Sequence, residues 1–337
     1  MTIRMELGKD SYDILLGRGI LDRAGELLNL ERKVLVVTDD GVPEEYAETV
    51  ASACREARIL RLEQGESHKN FDSYRRIMEE MLDFGMSRED CVAAVGGGVP
   101  GDMAGFAAAT YMRGVDFYNI PTTVLSQVDS SIGGKTAIDL NGVKNIVGAF
   151  HQPRRVLIDP DTLRTLPPRQ TANGLAEAVK MAACFDAEGF ELFEKGDIPG
   201  NMDRIIEGAL RIKKRVVEED EKEHGLRRAL NFGHTLGHGI ESLHDENGLY
   251  HGECVALGML PMCSGSARAR LKRVLEELGL PTVCGADPEK VMAAVTHDKK
   301  ATGDRIRAVT VEEIGTCEIR EMTAAELRSR YCEWYHL

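Results

Sequence analysis

The chain has 337 residues, 43% of them hydrophobic, which is enough for two domains with sizeable cores and too apolar for a disordered chain. Acidic residues outnumber basic ones, 55 against 42, and the formal charge of −13 argues against a nucleic-acid or anionic-membrane partner. Eight cysteines without a CxxC argue against a zinc ribbon or a thioredoxin-like pair; with a polar start and no apolar run approaching ~20 residues, the expected setting is the reducing cytoplasm.

In chain order, residues 1–33 carry no motif. Residues 33–40 (KVLVVTDD) form a short β-branched run bounded by turn residues, the pattern of a buried parallel strand. Strands are also predicted at 58–62, 91–95, 117–121 and 156–159, with a helix over 71–84, where Tyr74, Ile77, Met78, Met81 and Leu82 recur at helical spacing. Alternating strands and helices indicate an α/β domain with a parallel sheet. After Pro167-Pro168 the texture changes. Helical periodicity dominates 175–185, 190–195, 202–217, 234–243 and 254–278, the last broken near Pro261. The expected division is 1–167, α/β and Rossmann-like, and 168–337, mainly helical. A small hairpin is expected over 306–319.

Four stretches carry chemistry. Gly96, Gly98 and Gly101 satisfy G-x-G-x-x-G at a strand-to-helix turn, where backbone N–H groups and a helix N-terminus suit a pyrophosphate. The first strand lacks such a loop, since Val37 is followed by Thr38-Asp39-Asp40, so a standard Rossmann dehydrogenase is disfavoured. Asp39 either accepts hydrogen bonds from a ribose or caps the next helix. Gly133-Gly134-Lys135-Thr136 suggests a P-loop, but the first glycine of that motif would fall on Asp129. Lys135 and Lys144-Asn145, read as one Gly/Ser-rich loop, still favour an anion. Glu177 and Lys180 share a helix face, either as an ordinary ion pair or with Glu177 as the oxygen ligand of a His/His/Glu metal site.

The fourth stretch, LNFGHTLGH from Leu230 followed by His251-Gly252-Glu253, holds His234 and His238 four apart on one helix face. Two imidazoles a turn apart suit a divalent metal, and His251 is placed to return from a neighbouring helix, although paired helical histidines are often ordinary surface or core residues. No glutamate follows His234, so the peptidase HExxH pattern fails. Asn231, Gly233 and Gly237 are poor helix formers and suggest close approach to a ligand.

Taken in order, GGGVPGD, AATYMRG, IPTTVLSQVDSSIGGKTAID, GVKNIVGAF, GLAEAVK, LNFGHTLGH and HGE resemble the 3-dehydroquinate synthase family of sugar phosphate cyclases, over about residues 39–300. The resemblance implies an N-terminal NAD-binding α/β domain and a C-terminal helical metal domain. It implies Zn2+, with Co2+ able to replace it in vitro, on Glu177, His234 and His251, and makes His238 a substrate-contacting proton relay. NAD contacts implied are Asp39, Glu66, Lys69, Gly98, Val99, Pro100, Gly101, Asp102, Thr122, Thr123, Asp129, Lys135, Lys144, Thr162, Leu163, Arg164 and Thr165. Substrate contacts implied are Arg113, Lys135, Asn145, Lys180, Lys213, Arg227, Asn231 and one of Lys299 and Lys300.

The reaction implied converts 3-deoxy-D-arabino-heptulosonate 7-phosphate to 3-dehydroquinate and phosphate. It proceeds by transient NAD-dependent oxidation, phosphate elimination, re-reduction and intramolecular aldol closure, in a chain expected to be a homodimer. A substrate carrying both carboxylate and phosphate accounts for the many cations. The rivals are a cyclase acting on another sugar phosphate, a metal-dependent alcohol or glycerol dehydrogenase of the same architecture, and a non-catalytic NAD-binding regulator. Pro100 departs from the family pattern at a non-glycine position, and the interval from His234 to His251 differs slightly from some relatives.

Overall fold

The structure is a computed structural model that describes residues 1–243, 248–297 and 305–336. The chain divides into two compact units, Met1–Pro167 and Pro168–Leu337. The fold is an α/β Rossmann-like unit followed by a mainly helical one. Among the described residues no helix is long and apolar enough to cross a membrane.

The first unit is built on a seven-stranded sheet in the order β1-β2-β9-β6-β5-β3-β4. Its strands are β1 (Thr2–Met5), β2 (Tyr12–Leu16), β3 (Lys33–Asp39), β4 (Glu56–Leu62), β5 (Cys91–Gly96), β6 (Asp116–Pro121) and β9 (Arg155–Ile158). All pairings are parallel except β1 with β2. Every residue of β5 is buried because both faces are covered, which is why its sequence is a continuous apolar run rather than an alternation. Alternate residues feed two cores: Leu35, Val37, Val92 and Ala94 pack on one face, and Val34, Val36, Cys91 and Ala93 on the other.

The helices of this unit are α1 (Ala24–Leu27), α2 (Glu44–Ser52), α3 (Phe71–Asp83) and α4 (Gly98–Thr110). Asn70 starts α3 by accepting the backbone N–H groups of Asp72 and Ser73 at 3.0 and 3.1 Å. From β3 the chain moves to β4 on one side and then to β5 on the other, so the carboxyl ends of β3 and β5 flank a topological switch point, the usual ligand crevice of such sheets.

Two features depart from expectation. The motif-free N-terminus makes β1 and β2, whose buried residues Ile3, Met5, Tyr12, Ile14 and Leu16 alternate with more exposed ones. The stretch read as a Gly/Ser-rich loop is an antiparallel hairpin of β7 (Lys135–Leu140) and β8 (Val143–Phe150). Glycine at 148 permits the close pairing, since a Cβ there would lie 2.1 Å from the Thr136 carbonyl oxygen.

The second unit contains α5 (Pro168–Phe185), α6 (Ala187–Glu194), α7 (Ile198–Glu219), α8 (His234–Glu241) and α9 (His251–Met259). It continues with α10 (Gly265–Glu277), α11 (Pro288–His297) and α12 (Ala324–Tyr335). A 3-10 turn, Leu260–Met262, breaks the predicted long helix at Pro261. The hairpin expected over 306–319 is β10 (Arg305–Thr310) paired antiparallel with β11 (Glu318–Thr323). Asp186 and Asp197 cap α6 and α7 by accepting the N–H groups of Gly189 and Gly200.

Candidate active site: a buried carboxylate–histidine cluster and a strand-end cradle

In the helical unit, α5 carries Glu177 and Lys180 a turn apart, both buried. Helices α8 and α9 cross so closely that glycine is obligatory at the contact. A Cβ on Gly258 would sit 2.0 Å from the Gly233 carbonyl oxygen, and one on Gly237 would sit 3.0 Å from the Cys254 carbonyl oxygen. Gly233 also holds a left-handed φ of 79° at the start of α8. These glycines therefore serve helix packing, not the close approach to a ligand expected from the sequence. The Asn231 amide donates to Glu223 Oε1 at 2.8 Å. The start of α9 is tied to α5 in two places. Gly252 N–H donates to Asn173 Oδ1 at 2.6 Å, and Arg169 forms a bidentate pair with Glu253, both contacts 2.7 Å.

This packing brings His234 Nε2 to 3.5 Å and His251 Nε2 to 3.4 Å from the same oxygen, Glu177 Oε1. The ligand-type atoms of the three residues lie within 4.8 Å of one another. Glu177 is fully buried and ion-paired with Lys180 Nζ, yet among the described residues neither of its oxygens has a partner in hydrogen-bonding geometry. A buried carboxylate with two such oxygens facing two imidazole nitrogens fits a divalent cation, because a metal satisfies lone pairs that protein donors leave unmet.

The same packing sets the charges. Burial pushes His234 down to about 3, with the Lys180 ammonium adding to the effect, so its imidazole stays neutral. Burial also acts against charge on His251, but the facing carboxylates of Glu177 and Glu241 outweigh it and hold that ring up to about 10. For Glu177, burial is outweighed by Lys180, His234 and His251, and its carboxyl is held well below the usual range. The cluster thus holds its positive charge on His251, the place a divalent cation would take over.

His238 is exposed and stands outside this trio, its ring centroid 5.2 Å from that of His234 and 6.0 Å from that of His251. With Glu241 and His251 it forms a second group of three whose ligand-type atoms lie within 4.8 Å. Lys213 and Arg227 are buried cations of α7 and of the 3-10 turn Leu226–Asn231. Asp220 builds that turn by accepting the N–H groups of His224, Gly225 and Arg227. Lys299 and Lys300 lie outside the described residues. Sequence reasoning missed Asp220, Glu223 and Glu241. Of these, Glu241 left a signal, standing two helical turns after His234 on the same face.

In the α/β unit the implied dinucleotide contacts gather at the carboxyl ends of β3, β5, β6 and β9. Asp39 ends β3, buried, and accepts the Gly41 N–H at 3.0 Å; burial raises its carboxyl above the ordinary value. Residues 98–102, at this strand-to-helix turn, form the first turn of α4, with Gly97 at its N-cap. Gly98, Val99, Pro100, Gly101 and Asp102 thus present a helix N-terminus rather than a free loop. A Cβ on Gly96 would meet the Pro100 ring at 2.8 Å, so the unusual Pro100 is accommodated by its glycine neighbour.

Thr122 and Thr123 follow β6, with Thr122 N–H donating to the Gly96 carbonyl at 2.9 Å, and Asp129 lies in a π-helical turn, Ser126–Ser130. Thr162, Leu163, Arg164 and Thr165 sit in the 3-10 turn Pro160–Thr165, capped by Asp159 and buttressed by Gln127 Nε2 on Thr162 Oγ1 at 3.1 Å.

Lys69, 4% exposed, is the centre of a further cluster. Its ammonium donates to Asp102 Oδ2 at 2.5 Å and to Asn145 Oδ1, with Glu66 Oε1 at 3.8 Å. Burial disfavours its charge, but Asp102 and Glu66 hold its pKa above the ordinary value. Asn145, assigned by resemblance to the substrate, is here bonded to an implied dinucleotide residue. Lys135 and Lys144 do not share a loop: they stand near opposite ends of the hairpin, about 14 Å apart at ~3.4 Å per residue. Arg113 is exposed at the other end of α4 from Gly98, about 20 Å away at 1.5 Å per residue, so this unit does not bring it to the cradle.

Comparison with known proteins agrees with this layout. A solved 2-deoxy-scyllo-inosose synthase, complexed with carbaglucose-6-phosphate, NAD+ and Co2+, shares the fold with a TM-score of 0.90 at 24% identity, covering 99% of this chain and 100% of that one. The 2-epi-5-epi-valiolone synthase of Streptomyces hygroscopicus subsp. jinggangensis 5008, solved with NAD+ and Zn2+ bound, is 28% identical with a TM-score of 0.88, covering 96% and 97% of the two chains. The fold is thus that of the sugar phosphate cyclases.

The particular family follows from sequence. Residues 59–173 match the family described as 3-dehydroquinate synthase N-terminal and residues 174–301 that described as 3-dehydroquinate synthase C-terminal. The 3-dehydroquinate synthase of Pelobacter propionicus is 40% identical across 97% of each chain. The chain belongs to the 3-dehydroquinate synthase family.

Proposed function

We propose that this chain converts 3-deoxy-D-arabino-heptulosonate 7-phosphate to 3-dehydroquinate and phosphate, as a carbon–oxygen lyase dependent on NAD+ and Zn2+. The observation that carries the reading is the cluster of half-buried His234 and His251 around fully buried Glu177, whose carboxylate oxygens lack hydrogen-bond partners among the described residues. When bound, the two cofactors supply a Lewis acid at that cluster and a reversible hydride acceptor at the strand-end cradle. The chain's own residues supply the rest. Asp39, the first turn of α4 and the turns after β6 and β9 orient the dinucleotide. Lys69 fixes Asp102 and Asn145 in one arrangement. Lys180, Lys213 and Arg227 offer buried positive charge for carboxylate and phosphate, and Asn231 is oriented through Glu223. Exposed His238, beside the cluster but outside the trio, is placed to move a proton to or from the substrate.

One assay tests this. Protein, zinc, catalytic NAD+ and the heptulosonate phosphate are combined, and phosphate, dehydroquinate and NADH absorbance are followed together. Both products without NADH accumulation are expected. Steady NADH formation without phosphate would overturn the reading in favour of a dehydrogenase.

A further inference from the structure

An imidazole that binds a metal through one nitrogen keeps a proton on the other, and the group accepting that proton fixes the tautomer and the ring plane. The two histidines of the cluster are held in different ways. His234 turns Nδ1 to a backbone carbonyl, that of Phe232, at 3.2 Å. His251 turns Nδ1 to a carboxylate, Glu241 Oε2, also at 3.2 Å, while its Nε2 faces Glu177. Glu241 is 8% exposed and is the last residue of α8, two turns beyond His234 on the same face. One short helix therefore carries a ligand and a support for the ligand on the next helix.

We infer that Glu241 is a positioning residue for metal binding, holding His251 in the Nδ1–H form with the Nε2 lone pair aimed at the Glu177 site. This rests on the metal-site reading of the proposed function. A carboxylate acceptor makes the opposite nitrogen a stronger donor than a neutral carbonyl does, so His251 is the more strongly donating of the two imidazoles. The competing arrangement puts a second cation on His238, Glu241 and His251, using Nδ1 of the shared ring. The geometry favours the first. Glu177 is fully buried and, Lys180 ion pair aside, neither of its oxygens has a hydrogen-bond partner among the described residues, whereas His238 is exposed.

The test is zinc binding by chelator competition, with the visible spectrum of the cobalt-loaded protein, on wild type, Glu241→Gln and His238→Ala. Glu241→Gln is expected to weaken zinc about ten- to a hundredfold and to shift the cobalt spectrum, in a metal-free protein that still unfolds in one cooperative transition. His238→Ala is expected to keep wild-type zinc affinity. Wild-type affinity and spectrum in Glu241→Gln would overturn the inference, as would two zinc ions per wild-type chain falling to one in that variant. Should Glu241→Gln fail to fold, the zinc-loaded wild type decides by histidine 15N NMR. A slowly exchanging Nδ1–H on His251 supports the inference and a metal-bound Nδ1 overturns it. A wild-type chain that binds no zinc would defeat the metal-site reading itself, whereas zinc binding indifferent to Glu241 would defeat only this step.

Discussion

The helical unit fixes its cluster by backbone contact: α8 meets α9 through glycines that leave no room for a methyl group, and α9 is pinned to α5 through Gly252 and Arg169. The α/β unit fixes its cradle differently, by placing short turns at the ends of parallel strands and tying them with side chains such as Gln127, Asp159 and Lys69. Metal ligation needs three atoms held to a fraction of an ångström, which rigid helices provide. A dinucleotide is long and contacts many groups weakly, which suits a row of strand ends. Damage should therefore be abrupt in one unit and graded in the other.

The largest expected effect is at a ligand. His234→Ala should lose stoichiometric zinc and about a thousandfold or more in kcat, since a Lewis acid contributes several kcal/mol to such a step. Retention of one zinc per chain, measured by metal analysis, would contradict the trio. Next comes packing. Gly258→Ala places a methyl 2.0 Å from the Gly233 carbonyl and 2.6 Å from the Gly237 nitrogen, both backbone atoms that cannot step aside. It should cost about 3 kcal/mol in the stability of the helical unit and loosen zinc with it. Gly97→Ala, whose Cβ would lie 3.3 Å from the Thr123 methyl, should cost less than about 1 kcal/mol. Equal shifts of the thermal midpoint in the two variants would erase the contrast between the units.

The same contrast governs what could be read from the sequence. The strands β3 and β5 were legible because burial on both faces leaves unbroken apolar runs, and α8 and α9 because their histidines and apolar residues keep helical spacing. The hairpin of β7 and β8 was hidden by Gly133, Gly134, Gly142 and Gly148, which read as loop although each serves a turn or a close strand contact. The final helix carries its own start signal in the sequence, the capping box Thr323-Ala-Ala-Glu326. Spacing offered the cluster only as one alternative among several. Local periodicity pairs His234 with His238, whereas Glu177 and His251 reach His234 only through tertiary packing, and the family resemblance was what chose them over His238. The glycines of LNFGHTLGH misled for the same reason, because a missing Cβ does not say whether a ligand or a helix fills the space.

A smaller effect is expected at Lys69. Lys69→Met removes the ammonium from Asp102 and Asn145 and leaves the carboxylate without it. A lost hydrogen bond to a charged group is worth about 1.5–3 kcal/mol, so NAD+ binding by calorimetry should weaken about tenfold or more, with one zinc per chain retained. Loss of zinc together with NAD+ would show that the two clusters are not independently built.

The smallest effect lies outside both clusters, in the scaffold of the α/β unit. Asp90 is buried and accepts from the Ser87 N–H at 2.6 Å, the Ser87 hydroxyl at 2.8 Å and the Lys33 N–H at 3.0 Å, joining the end of one turn to the start of β3. Burial opposes its ionisation, but these bonds and the Lys33 charge win, and its carboxyl lies below the ordinary value. A depressed folded pKa means that stability is fully present above the unfolded value of about 3.9 and is lost as pH falls through the folded one. Asp90→Asn keeps one acceptor and forfeits the charge, so it should cost about 1 kcal/mol at pH 7. The gap from wild type should begin to narrow as the pH falls below about 4 and close once it lies below the folded value, where the wild-type carboxyl is neutral as well. Urea melts at pH 7 and in acid, with zinc and NAD+ binding as controls, make the check. A gap that does not shrink in acid would mean that shape, not charge, is what Asp90 contributes.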